Sequence, residues 1–528
     1  MSIIEGIITP AGCVNGETQY TREELTMGLN TEKMASIITL LGGDASQLPD
    51  NLYSTYLNEI VRLLQVGGEN QEKRFQEVLK EYRDVLDQCT ELKAIIAPYI
   101  TDSAVLGVQV DYENKTFTRL ANAFGRKAGA DFDGFPMFGG RRRCNVADDG
   151  TISAYFGDAA YKEDGSNGQV MVYQPAFYYK VVPLKLERQA DGVGYHLRKA
   201  NYFVTATPHD GFRLHPAFLD ANGNPVDYVL VGAYEGSLYD TSASAFILDD
   251  AQVMDATADK FCSIAGARPA SGYSQNLTRP NIEQMANNRG AGWHSAEIRT
   301  ASMEQLLMAI ELGIMDTQSG IGRSVVNLPW TTGSDTTSSY AAATGATASL
   351  GNASGMAVKT TTYEGGAAKE YAVNGKTSVS YRGVENFWGN IWKFIYGVNI
   401  WGDGAMKGGV PFICNDWKPA ESKKDGNYKS AGFSVTNASG YISAMGYGDP
   451  EFDWLLMASE CAGNSALPVG DYTYITQNLN SYRIARLGGG WNDGGIAGGF
   501  CWGLNYGVGG RGRYVGGRLV FIPTAKAA

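Results

Sequence analysis

The chain has few of the residues that carry most acid–base and metal chemistry. Its 528 residues include only 4 His and 7 Cys, and the cysteines are dispersed, with no CxxC spacing and no histidine-rich neighbour. Zinc sites and disulfide frameworks need closely spaced sets of these residues. We therefore expect no metal, no cofactor and no disulfide framework. So few histidines disfavour acid–base catalysis centred on histidine, and no catalytic residue is predicted.

Clustered positive charge and long apolar runs are also scarce. The 44 Lys and Arg are outnumbered by 55 Asp and Glu, whereas nucleic-acid affinity depends on clustered cations. The tight basic run at residues 141–143 is predicted to be a solvated strand edge. No apolar stretch approaches the roughly 18 residues of a membrane span, and the first residues lack a basic signal region. The sequence predicts a soluble protein with no secretory address, no nucleic-acid partner and no membrane insertion.

Glycine and aromatic residues are abundant instead. The chain has 66 Gly, 30 Tyr, 20 Phe and 9 Trp, which is typical of proteins rich in turns and held by aromatic packing. Its length corresponds to about three or four domains.

Helical periodicity is concentrated in residues 1–100. From Phe75 to Tyr99 the apolar residues alternate at spacings of three and four, which forms a heptad seam flanked by Lys and Glu. Aromatic residues in the seam need a wide core, so the pattern favours a coiled-coil homotrimer. An ordinary amphipathic helix on the protein's own core is the alternative. Residues 1–100 are assigned to a helical attachment and trimerisation region.

After this region, short alternating stretches between Gly, Asn and Asp predict β-strands. Residues 105–110 and 116–120 form a predicted hairpin, and residues 170–182 a long aromatic strand interrupted at Pro175. Residues 101–200 are therefore predicted to be a β-rich spacer domain, which can merge with the next. Residues 331–362, almost all Ser, Thr, Ala and Gly, are predicted to be a long surface excursion.

The remaining part of the chain contains one clear helical pattern. Ser302 is the predicted cap, apolar residues from 303 to 310 repeat at helical spacing, and Gly313 ends the helix. The segment 488–517 holds 14 Gly in 30 residues. Glycine weakens both helices and strands, so little regular structure is expected there.

Two short motifs are set aside. Residues 507–512 match the dinucleotide pattern GxGxxG, but a strand is predicted after them where the mechanism needs a helix. Residues 220–227 place oxygen ligands near calcium-loop spacing, yet the glycine comes early and no Glu closes the loop. A hairpin turn is predicted at that position.

Three separated segments together resemble a known fold. They read RTASMEQL at residues 299–306, GNIWKF at 389–394, and RLGGGW at 486–491 followed by GRLVF at 517–521. In this order they resemble C-type-lectin-like folds of the formylglycine-generating-enzyme type, where the segments read like RLPTEAEWE, GNVWEW, and RGGSW followed by GFR. The resemblance implies a C-type-lectin-like domain over residues 201–528. The expected fold class is therefore α+β and multidomain, with an N-terminal helical or coiled-coil region, a small β domain, and a C-terminal C-type-lectin-like domain with little regular structure.

The segment of about 486–518 also resembles the variable region of proteins diversified by retroelements. In that family a template rich in Asn codons is copied with random replacement at adenines. Trp491, Phe500 and Trp502 can be encoded without adenine, so they are expected to form a fixed, buried frame. Diversity is tolerated where side chains point into solvent. The resemblance implies ligand-binding, variable residues at Gly490, Asp493, Ile496, Gly503, Tyr506, Val508, Gly510, Gly512 and Tyr514. The alternative is a tightly turned core segment.

These resemblances imply a function as well as a fold. The expectation is a phage tail-fibre receptor-binding protein that recognises a host cell-surface receptor, protein or glycan, and joins other tail proteins through its N-terminus. It would be made in the host cytoplasm and located in the virion tail. Formylglycine-generating enzymes depend on a closely spaced cysteine pair, whereas Cys461 and Cys501 lie far apart in sequence, so no enzyme activity is expected. The alternatives are an oxidase of that type and a cellular surface-display ligand-binding protein.

Overall fold

A computed structural model of the protein describes residues 104–250, 253–272, 277–330, 340–364, 366–404 and 408–524. The predicted helical attachment region, with its coiled coil and trimer seam, lies outside these residues. The described residues form one compact unit. Strands carry most of its regular structure.

The first strands are β1 Leu106–Asp111, β2 Thr116–Ala121, β3 Arg142–Val146, β4 Ile152–Tyr155, β5 Gln169–Pro175, β6 Tyr178–Arg188, β7 Tyr195–Thr205, β8 Arg213–Leu214, β9 Tyr228–Gly232, β10 Ser237–Asp240, β11 Ala245–Ile247, β12 Lys260–Cys262, β13 Trp293–Ser295, β14 Gly355–Met356 and β15 Thr360–Glu364. The others are β16 Ala367–Tyr371, β17 Val379–Tyr381, β18 Val384–Glu385, β19 Trp392–Trp401, β20 Val410–Cys414, β21 Tyr428–Ser430, β22 Gly440–Tyr441, β23 Ala444–Tyr447, β24 Ala458–Glu460, β25 Tyr472–Ile475, β26 Tyr482–Gly488, β27 Gly498–Tyr506, β28 Val515–Gly516 and β29 Leu519–Phe521. The α-helices are α1 Pro136–Gly139, α2 Arg279–Asn287, α3 Ile298–Leu312 and α4 Thr317–Gly320. Short 3-10 turns lie at Ala130–Phe132, Pro216–Phe218, Ala348–Leu350, Pro450–Phe452 and Gly494–Ile496.

The expected α+β class is wrong for the described residues, which are mostly β. Strands hold 36% of the structure and helices 12%. The glycine-rich tail is likewise more regular than expected, because it contributes β27 and β28 to a large sheet. The glycines there allow neighbouring residues to pack closely against the backbone. A β-carbon at Gly499 would lie 2.9 Å from the Met308 Cε, and one at Gly516 would lie 2.7 Å from the Ile391 Cδ1. Tight packing against neighbours offsets the weak intrinsic preference of glycine for strands.

Three large sheets organise the unit. The seven-stranded sheet has the order β2-β1-β7-β23-β24, with β6 paired to β7 and β8 to β6. The six-stranded sheet has the order β13-β29-β9-β5-β3-β4, and the eight-stranded sheet β21-β20-β19-β26-β27-β25-β22, with β28 paired to β19. Smaller sheets are β11-β10-β12, β14-β17-β18 and β15-β16. The sheets combine strands that are distant in sequence, so their cores are built from long-range contacts.

The early strand predictions agree with the structure. β1 and β2 form the predicted antiparallel hairpin, with Leu106 opposite Ala121. The long aromatic strand is broken near Pro175, the last residue of β5, and β6 joins a different sheet. β7 runs across residue 200 and pairs with β23, where Leu197 lies opposite Met445. The described residues of the predicted spacer domain therefore share a sheet with the following part of the chain.

Helix α3 is buried at the centre of the core, but it begins earlier than predicted. Its cap is Glu297, whose carboxylate accepts a hydrogen bond from the Arg299 amide at 2.7 Å, while Ser302 lies inside the helix. Gly313 ends the helix with φ 66, as predicted. Its buried Glu304 forms a two-bond ion pair with Arg141, at 2.8 Å for each bond.

Two predictions of exposed segments are wrong for part of each segment. Arg142 is exposed, but Arg141 and Arg143 are buried. β3 is not a sheet edge, because it pairs with β4 and β5, and the two buried guanidinium groups find partners on distant segments, including the Thr347 hydroxyl at 2.9 Å from Arg143. In the described part of the 331–362 excursion, Tyr340 and Ala342 are buried in a small hydrophobic cluster. Thr344 and Thr347 are also buried, whereas Val358 is 78% exposed, so only part of the segment lies at the surface.

The segments that match the calcium-loop and dinucleotide patterns form turns and connections in the structure. The Asp220 carboxylate accepts hydrogen bonds from the amides of Asn222 and Asn224, both at 2.9 Å. Residues 507–512 connect strand β27 to β28, and no helix follows them. Within the described ranges, no helix is long and apolar enough to span a membrane.

Candidate functional site

The aromatic residues predicted as a frame are buried next to the central strands of the eight-stranded sheet. β26 is antiparallel to β27, and β27 is parallel to β25. Trp491, Phe500 and Trp502 are each 0% exposed. The Trp502 indole N–H donates a hydrogen bond to the Leu456 carbonyl at 2.8 Å. The prediction that these three residues are buried is therefore confirmed.

Arg486 of β26 forms the centre of the site. Its guanidinium carbon lies 4.6 Å from the Trp392 ring centroid and 3.4 Å from that of Tyr506, so the cation is stacked between two aromatic rings. The Nη2 group donates to the Asn505 side-chain oxygen at 3.1 Å. The Nε and Nη1 groups are buried and have no hydrogen-bond partner among the described residues. Burial lowers the pKa of Arg486 from its usual value, although nearby tyrosines oppose that shift.

The stack continues into a set of surface aromatic residues. The Tyr506 and Tyr514 hydroxyls are hydrogen-bonded to each other. The Tyr514 ring packs edge-on against Trp330, with centroids 5.6 Å apart, and Trp330 is 45% exposed. On the other side of Arg486, the half-buried Tyr474 packs against Trp392 at 6.0 Å. We call Trp330, Tyr474, Tyr506 and Tyr514 the aromatic face.

The predicted variable positions fall into two groups. The half-buried residues are Asp493, Ile496, Tyr506, Val508, Gly510 and Tyr514. Gly490, Gly503 and Gly512 are buried, so the expectation that every variable side chain points into solvent is wrong for these three. The reason is clearest at Gly503, where a β-carbon would lie 3.1 Å from the Arg486 Nε and 3.1 Å from the Trp392 Cζ3. The arginine stack occupies the space above this glycine.

Two of the glycine positions are sterically linked to tyrosines of the aromatic face. A β-carbon at Gly510 would lie 2.7 Å from the Tyr506 Cδ2, and one at Gly512 would lie 2.7 Å from the Tyr514 Cε1. A side chain at either position requires the neighbouring ring to move. Substitutions at 506 and 510, and at 512 and 514, are therefore coupled in pairs.

Asp493 adds a carboxylate close to the arginine. Its Oδ2 accepts a hydrogen bond from the Gly490 amide at 2.7 Å, which closes the turn after Trp491. Burial raises the pKa of Asp493, while the Gly490 hydrogen bond and the charge of Arg486 act to lower it. The loop is held further along by Arg513, whose Nη2 lies 3.0 Å from the Asp250 Oδ1. The segment between β26 and β28 is thus fixed at two points, by the hydrogen bond between Asp493 and Gly490 and by the ion pair between Arg513 and Asp250.

Sequence reasoning missed several contributors to this site. Trp330 and Tyr474 lie outside the 486–518 segment, and no motif marks them. Trp392 belongs to the GNIWKF segment, but only the stacking geometry shows that it supports Arg486. Their role follows from strand pairing, which a local pattern does not reveal.

The titratable and aromatic groups around the site bear differently on metal binding, thiol chemistry and recognition. Nowhere in the described ranges do three His, Cys, Asp or Glu side chains cluster to hold a metal ion. Cys461 and Cys501 are free thiols. Burial raises the pKa of Cys461 to about 12 and that of Cys501 well above its usual value, which disfavours the reactive thiolates. Half-exposed tyrosine and tryptophan rings around a buried cation offer a contact surface with both apolar and polar parts.

Comparisons with known proteins add little. No protein-family model matches the sequence, and no curated protein matches it. Among solved structures, the chain is similar to a Major Tropism Determinant P3c Variant, with 11% identity and a TM-score of 0.23, over 75% of this chain and 73% of that chain. The likeness is weak.

Proposed function

We propose that this chain is a receptor-binding protein of a bacterial virus that contacts a host-surface ligand through the aromatic face. The observation that carries the proposal is the stack of Trp392, Arg486 and Tyr506, which holds a rigid aromatic surface at the edge of half-buried loop positions. Its ligand is a protein or glycan on the cell surface.

The composition of the face supports recognition. Tyr and Trp supply large contact area at low cost in side-chain entropy, and together with Arg they are enriched at the energetic centres of interfaces. Tyr506 and Tyr514 are held by their shared hydrogen bond, by packing of Tyr514 on Trp330, and by the contact of Tyr506 with Arg486. A preorganised surface of this kind loses little conformational freedom when a partner binds.

The placement in a phage tail rests on the sequence resemblance of the 486–518 segment to variable regions. Here the half-buried positions carry the variation, and the buried frame keeps the backbone in place. Attachment through residues 1–100 and trimerisation belong to the same proposal. Several copies would raise avidity, so that weak single contacts suffice.

The alternatives make different demands on the molecule. An oxidase of the formylglycine-generating type needs reactive thiolates, and the raised pKa values of Cys461 and Cys501 weigh against it. A cellular display protein would use the same face. Neighbouring genes distinguish that case, because tail genes beside this one support a virion protein.

Population sequencing of the 3′ end of the gene tests the variable face. Substitutions are expected at the half-buried positions and at adenines of their codons, with Trp491 and Trp502 unchanged. The matched comparison is the segment that encodes β9, which should be invariant. Changes spread evenly over both segments, or frequent loss of the two tryptophans, would contradict the proposal.

Binding to host cells gives a second test. Labelled full-length protein is incubated with bacterial strains from the source of the gene, and Tyr506→Ala is expected to weaken adsorption at least about tenfold, as for a central contact residue. Tyr228→Ala is the matched control, because Tyr228 is also half-buried and stacks on another tyrosine, Tyr173, at 4.7 Å. Equal loss of binding in both variants would argue against the aromatic face.

A further inference from the structure

A second candidate site is a cavity of about 190 Å³ whose lining includes no residue of the 486–518 segment. Its lining includes the aromatic residues Tyr179, Phe452 and Trp454 and the polar residues Arg213, Arg299 and Asn415. Arg213 is at an open edge, with its side chain 45% exposed. An engineered apolar cavity of about 150 Å³ is large enough to bind benzene. The cavity therefore has room for a molecule with one six-membered ring.

Arg299 is the unusual member of the lining. It is 3% exposed, its guanidinium carbon lies 3.8 Å above the Trp417 ring, and its Nε donates to the Glu297 carboxylate at 3.0 Å. Its Nη2 is buried and has no hydrogen-bond partner among the described residues. A buried donor without a partner costs free energy, and such groups call for an explanation. A ligand oxygen in the cavity would supply the missing acceptor.

The charges around the cavity decide which acceptor fits. The Arg299 cation is already paired with Glu297, and the Arg213 cation is paired with Asp453 at 2.5 Å. The Glu451 carboxylate also lines the cavity, and it shares the Lys429 cation with Asp449. A ligand carboxylate would therefore add an anion where the existing cations are already paired with carboxylates. A neutral carbonyl oxygen accepts the free Nη2–H without adding a charge to a buried site.

We propose that this cavity binds a small neutral ring compound that carries an amide group. The amide oxygen accepts a hydrogen bond from the Arg299 Nη2, and the ring packs against Phe452 and Trp454. The Asn415 side chain provides a further polar partner at the wall. This site is independent of the aromatic face and of the receptor-binding proposal.

A probe series on the unmodified full-length chain tests the proposal. Benzamide is expected to bind with a dissociation constant of about 1 mM, a value reasonable for so small a ligand. Benzoate, which adds a charge, and toluene, which lacks the acceptor, should each bind at least about tenfold more weakly, a difference of about 1.4 kcal/mol. Ligand-observed NMR measures all three. No binding by benzamide, or equal binding of benzoate or toluene, would overturn the assignment.

A cavity-filling variant locates the binding. Leu214 is half-buried and lines the cavity, so Leu214→Trp should weaken benzamide binding at least about tenfold while Tyr506→Ala leaves it unchanged. Thermal denaturation checks that each variant is folded. Unchanged benzamide binding in a folded Leu214→Trp protein would place the ligand elsewhere and overturn the proposal. If that variant does not fold, Asn415→Leu serves in its place, with the same expected loss.

Discussion

Replacing Trp502 by alanine is expected to destabilise the fold far more than replacing Tyr506, four residues away on the same strand. The Trp502 ring is 0% exposed and lies in the main hydrophobic core. Truncating a buried Trp to Ala costs about 3–5 kcal/mol. The Leu456 carbonyl, which accepts the indole hydrogen bond at 2.8 Å, would also lose its partner, at a cost of about 1 kcal/mol. The sum is comparable to the whole stability of many domains.

Tyr506 is half-buried and makes its main contacts at the surface. Its ring covers the Arg486 guanidinium, and its hydroxyl meets that of Tyr514. A cation–π contact at such a site is worth about 0.5–1 kcal/mol. The freed arginine gains water, which offsets part of the loss. Tyr506→Ala should therefore reduce the free energy of unfolding by about 1 kcal/mol or less.

Urea denaturation of the full-length chain, followed by far-ultraviolet circular dichroism, compares the two variants. Trp502→Phe is the matched control: it keeps a buried ring but loses the indole hydrogen bond and part of the ring volume, so its stability should fall between those of the other two variants. The unfolding midpoint should decrease in the order wild type, Tyr506→Ala, Trp502→Phe, Trp502→Ala. Equal destabilisation by Tyr506→Ala and Trp502→Ala would refute the distinction between a buried frame and a surface face.

Further predictions concern packing, buried charge and pH. Gly503→Asn should lower the free energy of unfolding by about 1–3 kcal/mol, because the new side chain enters the arginine stack. A β-carbon at Gly509 meets no atom within 4 Å, so Gly509→Asn should change the stability by no more than about 0.5 kcal/mol. A lower melting temperature for Gly509→Asn than for Gly503→Asn would contradict this expectation. Glu304→Ala should cost about 3–5 kcal/mol in chemical denaturation, since it leaves the buried Arg141 charge unpaired, and adding Arg141→Met should recover part of the loss. The hydrogen bond from Arg198 lowers the pKa of Glu460 from 4.5 to about 2. The stability that this ion pair contributes is therefore complete above pH 4.5 and disappears as the pH falls through about 2. Glu460→Gln should therefore flatten the dependence of melting temperature on pH within that window, and an unchanged slope would exclude the ion pair as its source.

The features that were predictable from the sequence are those set by local patterns. The hairpin of β1 and β2 follows from alternation around a turn, and the end of α3 follows from Gly313. The start of α3 was not predictable in the same way, because Glu297 acts as the cap and glutamate is not a preferred residue at that position. Local signals thus located one end of the helix better than the other.

Properties that depend on distant partners were beyond the sequence. Arg141 and Arg143 read as a solvated basic run, but Glu304 and Thr347 complete their hydrogen bonds from far along the chain. At the candidate site, the burial of Gly503 depends on the way Arg486 folds over it. The sequence shows which residues are small or charged, but the pairing of distant strands determines which side chains pack against them.

The last strand of the fold sets a condition on how the chain is made. β29 lies inside the six-stranded sheet, with Phe521 opposite Trp293 of β13 on one side and Val520 opposite Val231 of β9 on the other. Translation must pass through the whole 486–518 segment in frame before this strand exists. A premature stop codon or a frameshift in that segment removes this interior strand and leaves β9 with an unpaired edge. Chains truncated there would therefore lack the strand that joins β13 to the rest of the six-stranded sheet.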